Sequence, residues 1–198
     1  MSAVDDYVKN NEEYALTHAG GLPGRPAKSI AVVACMDVRL NLYSMLGMGD
    51  GEAHVIRNAG GVVTDDVVRS LAISQRLLGT REIMLVHHTD CGMQTTTEEE
   101  FKGAIEGETG IRPPWAVESF GDAGQDVRQS IGRLKASPFI PHRDAIRGFV
   151  FDVDTGRLNE IPLGSALCDR RCTSSRAASR RSRPSPTRCT RAASPTRN

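Results

Sequence analysis

Several things are scarce in this chain of 198 residues, and each scarcity excludes something. Aromatic residues make up 5%, with a single tryptophan. No stretch approaches the eighteen or so uninterrupted apolar residues of a membrane-crossing helix, so no membrane association is expected. Asp5 and Asp6 stand where a secretory leader would place basic residues before an apolar run. Export is therefore not expected, and a cytoplasmic protein is. Cysteine is sparse: of five in all, only Cys35 and Cys91 lie before residue 165, too few for a disulfide scaffold. Internal repeats, collagen-like triplets and sustained heptads are all missing. What is left, with 39% apolar and 25% charged residues, is a globular chain whose length suits one domain.

Charge divides it in two. The overall balance is +1, but nine of the 25 basic residues and only one of the 24 acidic ones follow residue 164. Residues 1–164 thus carry 16 basic against 23 acidic groups, and residues 165–198 form an Arg/Ser/Ala/Thr/Pro mixture with one leucine. Such a segment has too little apolar surface to offset the entropy of ordering, so 165–198 is expected to be a disordered tail on a 1–164 domain. Three readings compete for it: a basic arm for an acidic partner, a solvated tail with no role, or the product of an off-frame GC-rich gene. The lack of lysine and aromatics fits the third best, and nucleic-acid binding by the tail is not expected.

Within residues 1–164 apolar runs alternate with helical patterns. Ser29–Ala34 reads as a strand buried on both faces, Leu40–Leu46 as a short helix stopped by Gly47, and Ala53–Ile56 as a second strand. Thr64 caps a helix with Asp65 and Asp66 at its positive end, an apolar stripe through Val67, Val68, Leu71 and Ala72, and Gly79 as its stop. Glu82–His87 is a third strand, and helices are expected near Thr96–Ile105 and Ala123–Lys135. Ile146–Val153 and Arg157–Ile161 form a hairpin around Asp154-Thr155-Gly156. The alternation predicts an α/β fold built on a mainly parallel sheet.

Sites in such sheets form beyond the carboxyl ends of the parallel strands. Three segments arrive there: Cys35-Met36-Asp37-Val38-Arg39, Arg57-Asn58-Ala59-Gly60-Gly61 and His87-His88-Thr89-Asp90-Cys91-Gly92. Two cysteines and a histidine make a donor set suited to zinc with an open fourth position. Each piece alone is weak, since a lone cysteine is usually a small buried hydrophobe and His87 or His88 could be a core histidine. Asp37 and Arg39 add weight: the carboxylate could take the fourth position, or be held off it by a forked pair with the arginine.

Cys35-x-Asp37-x-Arg39, Arg57-Asn58-Ala59-Gly60 and His88-x-x-Cys91-Gly92, in that order and spacing, resemble the β-class carbonic anhydrases. The wider text, Ser70–Ser74 and His87–Met93 included, is similar to their shorter actinobacterial-type branch. The resemblance covers about residues 3–162. It implies about four parallel strands plus one antiparallel edge strand, flanked by helices. Further implications are one Zn2+ per chain on Cys35, His88 and Cys91, a catalytic dyad of Asp37 and Arg39, and Gly92 presenting a backbone N–H to substrate. A homodimer or higher oligomer is also implied, with a helix from Val4 to Leu16 laid across the partner. The pocket glutamine and aromatics of plant-type members have no evident counterpart.

The implied activity is reversible hydration of carbon dioxide to bicarbonate and a proton, zinc-bound hydroxide attacking CO2 while Asp37 orients it. Protonation of Asp37 and its release from Arg39 could switch the site between open and closed states. Two alternatives use the same residues: hydrolysis of carbon disulfide or carbonyl sulfide, and a non-catalytic zinc-stabilised binding module. His54 and His87 are conceivable proton shuttles, though an isolated histidine is more often structural.

Overall fold

A computed structural model describes residues 2–163; the basic tail, its expected disorder and the expected boundary at 164 lie outside the described residues. Five strands form one sheet. These are β1 (Ile30–Cys35), β2 (Ala53–Asn58), β3 (Glu82–His88), β4 (Ile146–Phe151) and β5 (Leu158–Glu160), in the order β2-β1-β3-β4-β5. The first four run parallel and β5 lies antiparallel on β4. The expected four-plus-one arrangement is the one found.

β1 explains the layering. Its sequence, Ile-Ala-Val-Val-Ala-Cys, has no polar side chain, and from Ala31 on every residue is buried. Successive side chains point to opposite faces. Ala31 and Val33 pack with Ile83 and Leu85 of β3 against two helices on one face. These helices are α3 (Asp65–Arg76) and α5 (Ala123–Ala136), which contribute Val67, Leu71, Val127, Ile131 and Leu134. Val32, Ala34 and Val86 face the other way, packing with Leu40, Leu42, Cys35 and Cys91. The second layer has no long helix: the short α2 (Leu42–Leu46) and loop residues such as Met48 and Phe120 supply it.

The helix boundaries follow their caps. Thr64 accepts from the Val67 N–H, starting α3 where the sequence places it. The regular helix ends at Arg76 with Leu77 as its cap, Gly79 at φ +76 turns the chain, and the Thr80 N–H and hydroxyl then fold back onto the Ser74 carbonyl and Oγ. α4 (Glu98–Thr109) begins two residues later than expected: Thr97 and Glu100 form a reciprocal capping box that fixes its start. Two single 3-10 turns, Ala59–Gly61 and Gly92–Gln94, have no periodic signature and were not expected; both sit at the site edge of the sheet.

α1 (Ala3–Thr17) stands apart. Ser2 and Asp5 cap it, but it has no buried residue, and Val4, Tyr7, Val8 and Leu16 are all exposed. A lone helix of this length is marginal in water without a surface to pack on. No described helix is long and apolar enough to cross a membrane.

Candidate metal centre and active site

The parallel register delivers the site. Cys35 ends β1 opposite Asn58 at the end of β2, and His88 ends β3. A tight crossing holds them together. Gly60 and Gly61 both adopt positive φ, and a Cβ on Gly61 would sit 2.7 Å from the Cys35 backbone nitrogen. Only glycine lets the chain pass this close over the end of β1.

Cys35, His88 and Cys91 converge there, all buried, with their donor atoms within 4.8 Å of one another. Both cysteines are free thiols. The Cys91 side chain hydrogen-bonds Cys35, and the backbone at Asp37 and Gly60 adds to this, holding the Cys35 thiol down to about 4 despite burial. The same contact, with burial, pushes Cys91 up. Together the two sulfurs share one negative charge. His88 Nδ1 lies 2.8 Å from the Thr89 carbonyl oxygen and must donate to it, leaving Nε2 as the lone-pair nitrogen. Nε2 is buried and has no hydrogen-bond partner. A bare nitrogen lone pair beside a thiolate and a thiol is the donor set that a borderline-soft cation such as zinc completes. The backbone carbonyl on Nδ1 fixes the ring as outer partners of metal-bound histidines do.

Asp37 stands beside this group without belonging to it. Arg39 Nε donates to Asp37 Oδ1 at 2.9 Å and Nη2 to Oδ2 at 2.8 Å, and the Arg39 backbone N–H adds a third bond to Oδ1 at 2.9 Å. His88 Nε2 lies 3.8 Å from Asp37 Oδ2. These arginine hydrogen bonds hold the carboxyl well below the usual carboxylate range and raise the guanidinium in turn. Asp37 is therefore ionised at any pH near neutrality, and a switch driven by its protonation there is not supported.

Two residues complete the frame with roles that the sequence did not assign. Asp90 accepts from Arg39 Nη1 at 2.8 Å through its side chain and from Nη2 at 2.9 Å through its carbonyl. Arg57 donates from Nε to the Cys35 carbonyl at 2.9 Å and from Nη2 to the Asp37 carbonyl at 2.7 Å, clamping the backbone on both sides of Met36. Gly92 opens the 3-10 turn after Cys91, and a Cβ there would meet nothing within 4 Å, so space lies beside it. His54 and His87 are held in structural pairs, His54 Nδ1 with Ser74 Oγ at 2.8 Å and His87 Nε2 with Asp126 of α5 at 2.7 Å.

A family model described as carbonic anhydrase matches residues 30–158, which hold the four parallel strands and every site residue just described. The chain belongs to the carbonic anhydrase family. Within it the β class is the relevant one. The β-carbonic anhydrase 1 of Mycobacterium tuberculosis is 63% identical over 161 residues, 81% of this chain and 99% of that protein. The structure of a carbonic anhydrase from Streptococcus mutans superposes with a TM-score of 0.77 at 44% identity, covering 82% of this chain and 99% of the other. More distantly, a carbon disulfide hydrolase of Acidianus is 34% identical over 181 residues, 79% of this chain and 88% of that protein.

Proposed function

We propose that this chain catalyses the zinc-dependent reversible hydration of carbon dioxide to bicarbonate and a proton. The observation that carries this reading is the carboxylate beside the metal group. Asp37 is locked to Arg39 and held off His88 Nε2, so the protein offers three donors and leaves one position free. Structural zinc sites are closed by four protein ligands, whereas catalytic ones keep an open position. That difference weighs against the non-catalytic binding module.

Cys35, His88 and Cys91 would hold the ion. When bound, zinc supplies a Lewis acid that makes water a competent nucleophile near neutral pH. Asp37, ionised and fixed by Arg39, accepts a hydrogen bond from the attacking oxygen and so turns its lone pair toward the carbon of CO2. Arg39 is itself fixed by Asp90, and Arg57 sets the distance between Cys35 and Asp37. Gly92, with open space beside it, would offer its backbone N–H to a substrate oxygen. Carbon disulfide or carbonyl sulfide would use the same residues, but 63% identity to a carbonic anhydrase against 34% to a carbon disulfide hydrolase favours CO2.

The working unit in this reading is a homodimer, resident in the cytoplasm. The apolar stripe of α1 is bare in a single chain, and Val38, next to the dyad, is 97% exposed; both suit a second copy laid over them. Two unbridged cysteines fit a reducing compartment.

Stopped-flow CO2 hydration by the purified chain, with zinc content measured, from pH 6.5 to 9, tests the function. Turnover proportional to bound zinc is the expected result. No turnover at any pH from fully loaded protein would overturn it.

A further inference from the structure

A cleft of about 330 Å³ lies against the site edge of the sheet, and nothing in the chemistry above uses it. Its lining atoms are almost all apolar. Phe101 of α4 and Trp115, whose rings lie 6.3 Å apart and are 42% and 50% exposed, stand at its mouth. Ala59, the buried Val62 and Met93 form its inner wall. Two of these residues adjoin the surroundings of the metal group, although Cys35, His88 and Cys91 do not themselves line the cleft. Met93 packs on the cluster containing Cys35 and Cys91, and Ala59 follows Asn58, the strand partner of Cys35. Neither Asp37 nor Arg39 lines the cleft. The metal group thus has the charged Asp37–Arg39 pair beside it, where Arg39 is 41% exposed, and, toward the cleft, the flexible thioether of Met93 packed on its cluster.

We infer that the Phe101–Trp115–Met93 cleft is a reservoir and approach for the uncharged linear substrate, with Met93 as the movable partition before the metal group. The inference rests on the carbon dioxide reading above. Its physical basis is partition. An apolar hollow holds water poorly and takes up small apolar molecules or xenon. Carbon dioxide has no charge and no dipole, whereas bicarbonate would lose much of its hydration against the apolar lining and meet the like charge of Glu118. Methionine, unbranched and with several rotatable bonds, suits a barrier that must yield to a small molecule. The charged Asp37–Arg39 side is left for bicarbonate and the proton.

Two measurements test this together. Crystals of the zinc-loaded enzyme are pressurised with xenon, and Ala116→Phe, which adds bulk at a lining position, is assayed for CO2 hydration with zinc content and thermal unfolding checked. The expected results are xenon density in the wild-type cleft and a kcat/KM at least tenfold lower in the variant at unchanged zinc content. By the Haldane relation, bicarbonate dehydration should fall by the same factor. An active wild type with unchanged kcat/KM in a folded, zinc-loaded A116F overturns the inference and leaves the carbon dioxide reading intact. If that variant does not fold, the wild-type crystal decides, and an empty cleft under xenon overturns the inference. A zinc-loaded wild type with no turnover overturns the parent reading and this one with it.

Discussion

Asp37 is gripped at both carboxylate oxygens by the side chain of Arg39, at 2.9 and 2.8 Å. The forked pair matches the geometry in which a guanidinium holds a carboxylate best. Because Oδ2 is also 3.8 Å from His88 Nε2, the grip decides whether the fourth metal position is free or filled. Removing either partner has different consequences. In Asp37→Ala the three donors remain, so zinc should stay at one per chain while kcat/KM falls about 100-fold or more, the order expected for losing a positioned catalytic group. In Arg39→Ala the carboxylate is released toward the metal, so zinc should be retained or held more tightly while turnover falls as far. Metal analysis beside stopped-flow kinetics checks both; a fully active R39A would show that the pair is an ordinary surface ion pair.

The donors themselves should behave otherwise. Cys35→Ser replaces a sulfur held as thiolate with a hydroxyl that does not ionise in this range. The expected outcome is zinc below a tenth of an equivalent after dialysis, with loss of turnover in proportion. His88→Ala should do the same. Zinc retained at one equivalent in either variant would remove that residue from the donor set.

Asp90 gives a graded test. It holds Arg39 through its side chain and its carbonyl. Its backbone lies at φ 55, in the left-handed region that asparagine also tolerates. Asp90→Asn therefore keeps the carbonyl contact and the local fold but weakens the charged one. A loss of about tenfold in kcat/KM, roughly 1.4 kcal/mol, at unchanged zinc content is expected. Wild-type kinetics in D90N would mean that the Asp37 contact alone suffices to set Arg39.

Asp90 also marks how far the sequence could be read. The convergence of Cys35, His88 and Cys91 could be anticipated because their spacing, with the nearby Asp37 and Arg39, resembles a family motif, although the spacing alone is weak. Asp90 sits 51 residues from Arg39, and Arg57 binds carbonyls 20 and 22 residues away. Such contacts are created by strand register, and nothing local announces them. The same holds for the fold. The strands and the capped α3 follow from apolar runs and Thr64, whereas the 3-10 turn at Ala59–Gly61 arises from backbone close approach and that at Gly92–Gln94 from reciprocal contacts between Cys91 and Gln94. Gly79, at φ +76, turns the chain out of α3 as its position in the sequence implies, and the regular helix closes two residues earlier with Leu77 as its cap.

The pH behaviour follows from the sign of the Asp37 shift. Its carboxyl is held down by the Arg39 hydrogen bonds, so the folded value lies below the unfolded one. The stability it contributes is fully present above the unfolded value and is lost only as pH falls through the folded one, in strong acid. A bound divalent cation nearby would lower it further. Any rise in activity between pH 6.5 and 9 must therefore come from another group, and Asp37→Asn should lower the rate without moving the midpoint of that rise by more than a few tenths of a unit. A pH-rate profile for both proteins checks this; a midpoint shifted by a full unit would return Asp37 to the titrating role.

Gly61 offers a test of the scaffold independent of chemistry. Its φ is +72, and a Cβ there would lie 2.7 Å from the Cys35 nitrogen and 2.9 Å from the Ala34 carbonyl carbon. Both contacts are to the backbone of the central strand, which cannot move aside as a flexible side chain could. Gly61→Ala should cost about 2–4 kcal/mol, combining the left-handed penalty of a non-glycine residue with overpacking. Because the strain falls on the residue that presents the first thiolate, zinc affinity should fall with stability, unlike a cost confined to the far face of the sheet. Urea unfolding with and without a chelator separates the two. An equal loss of stability in both conditions would mean that the crossing shapes the fold without shaping the metal group. A loss larger in the presence of zinc would place Gly61 among the residues that set the donor geometry.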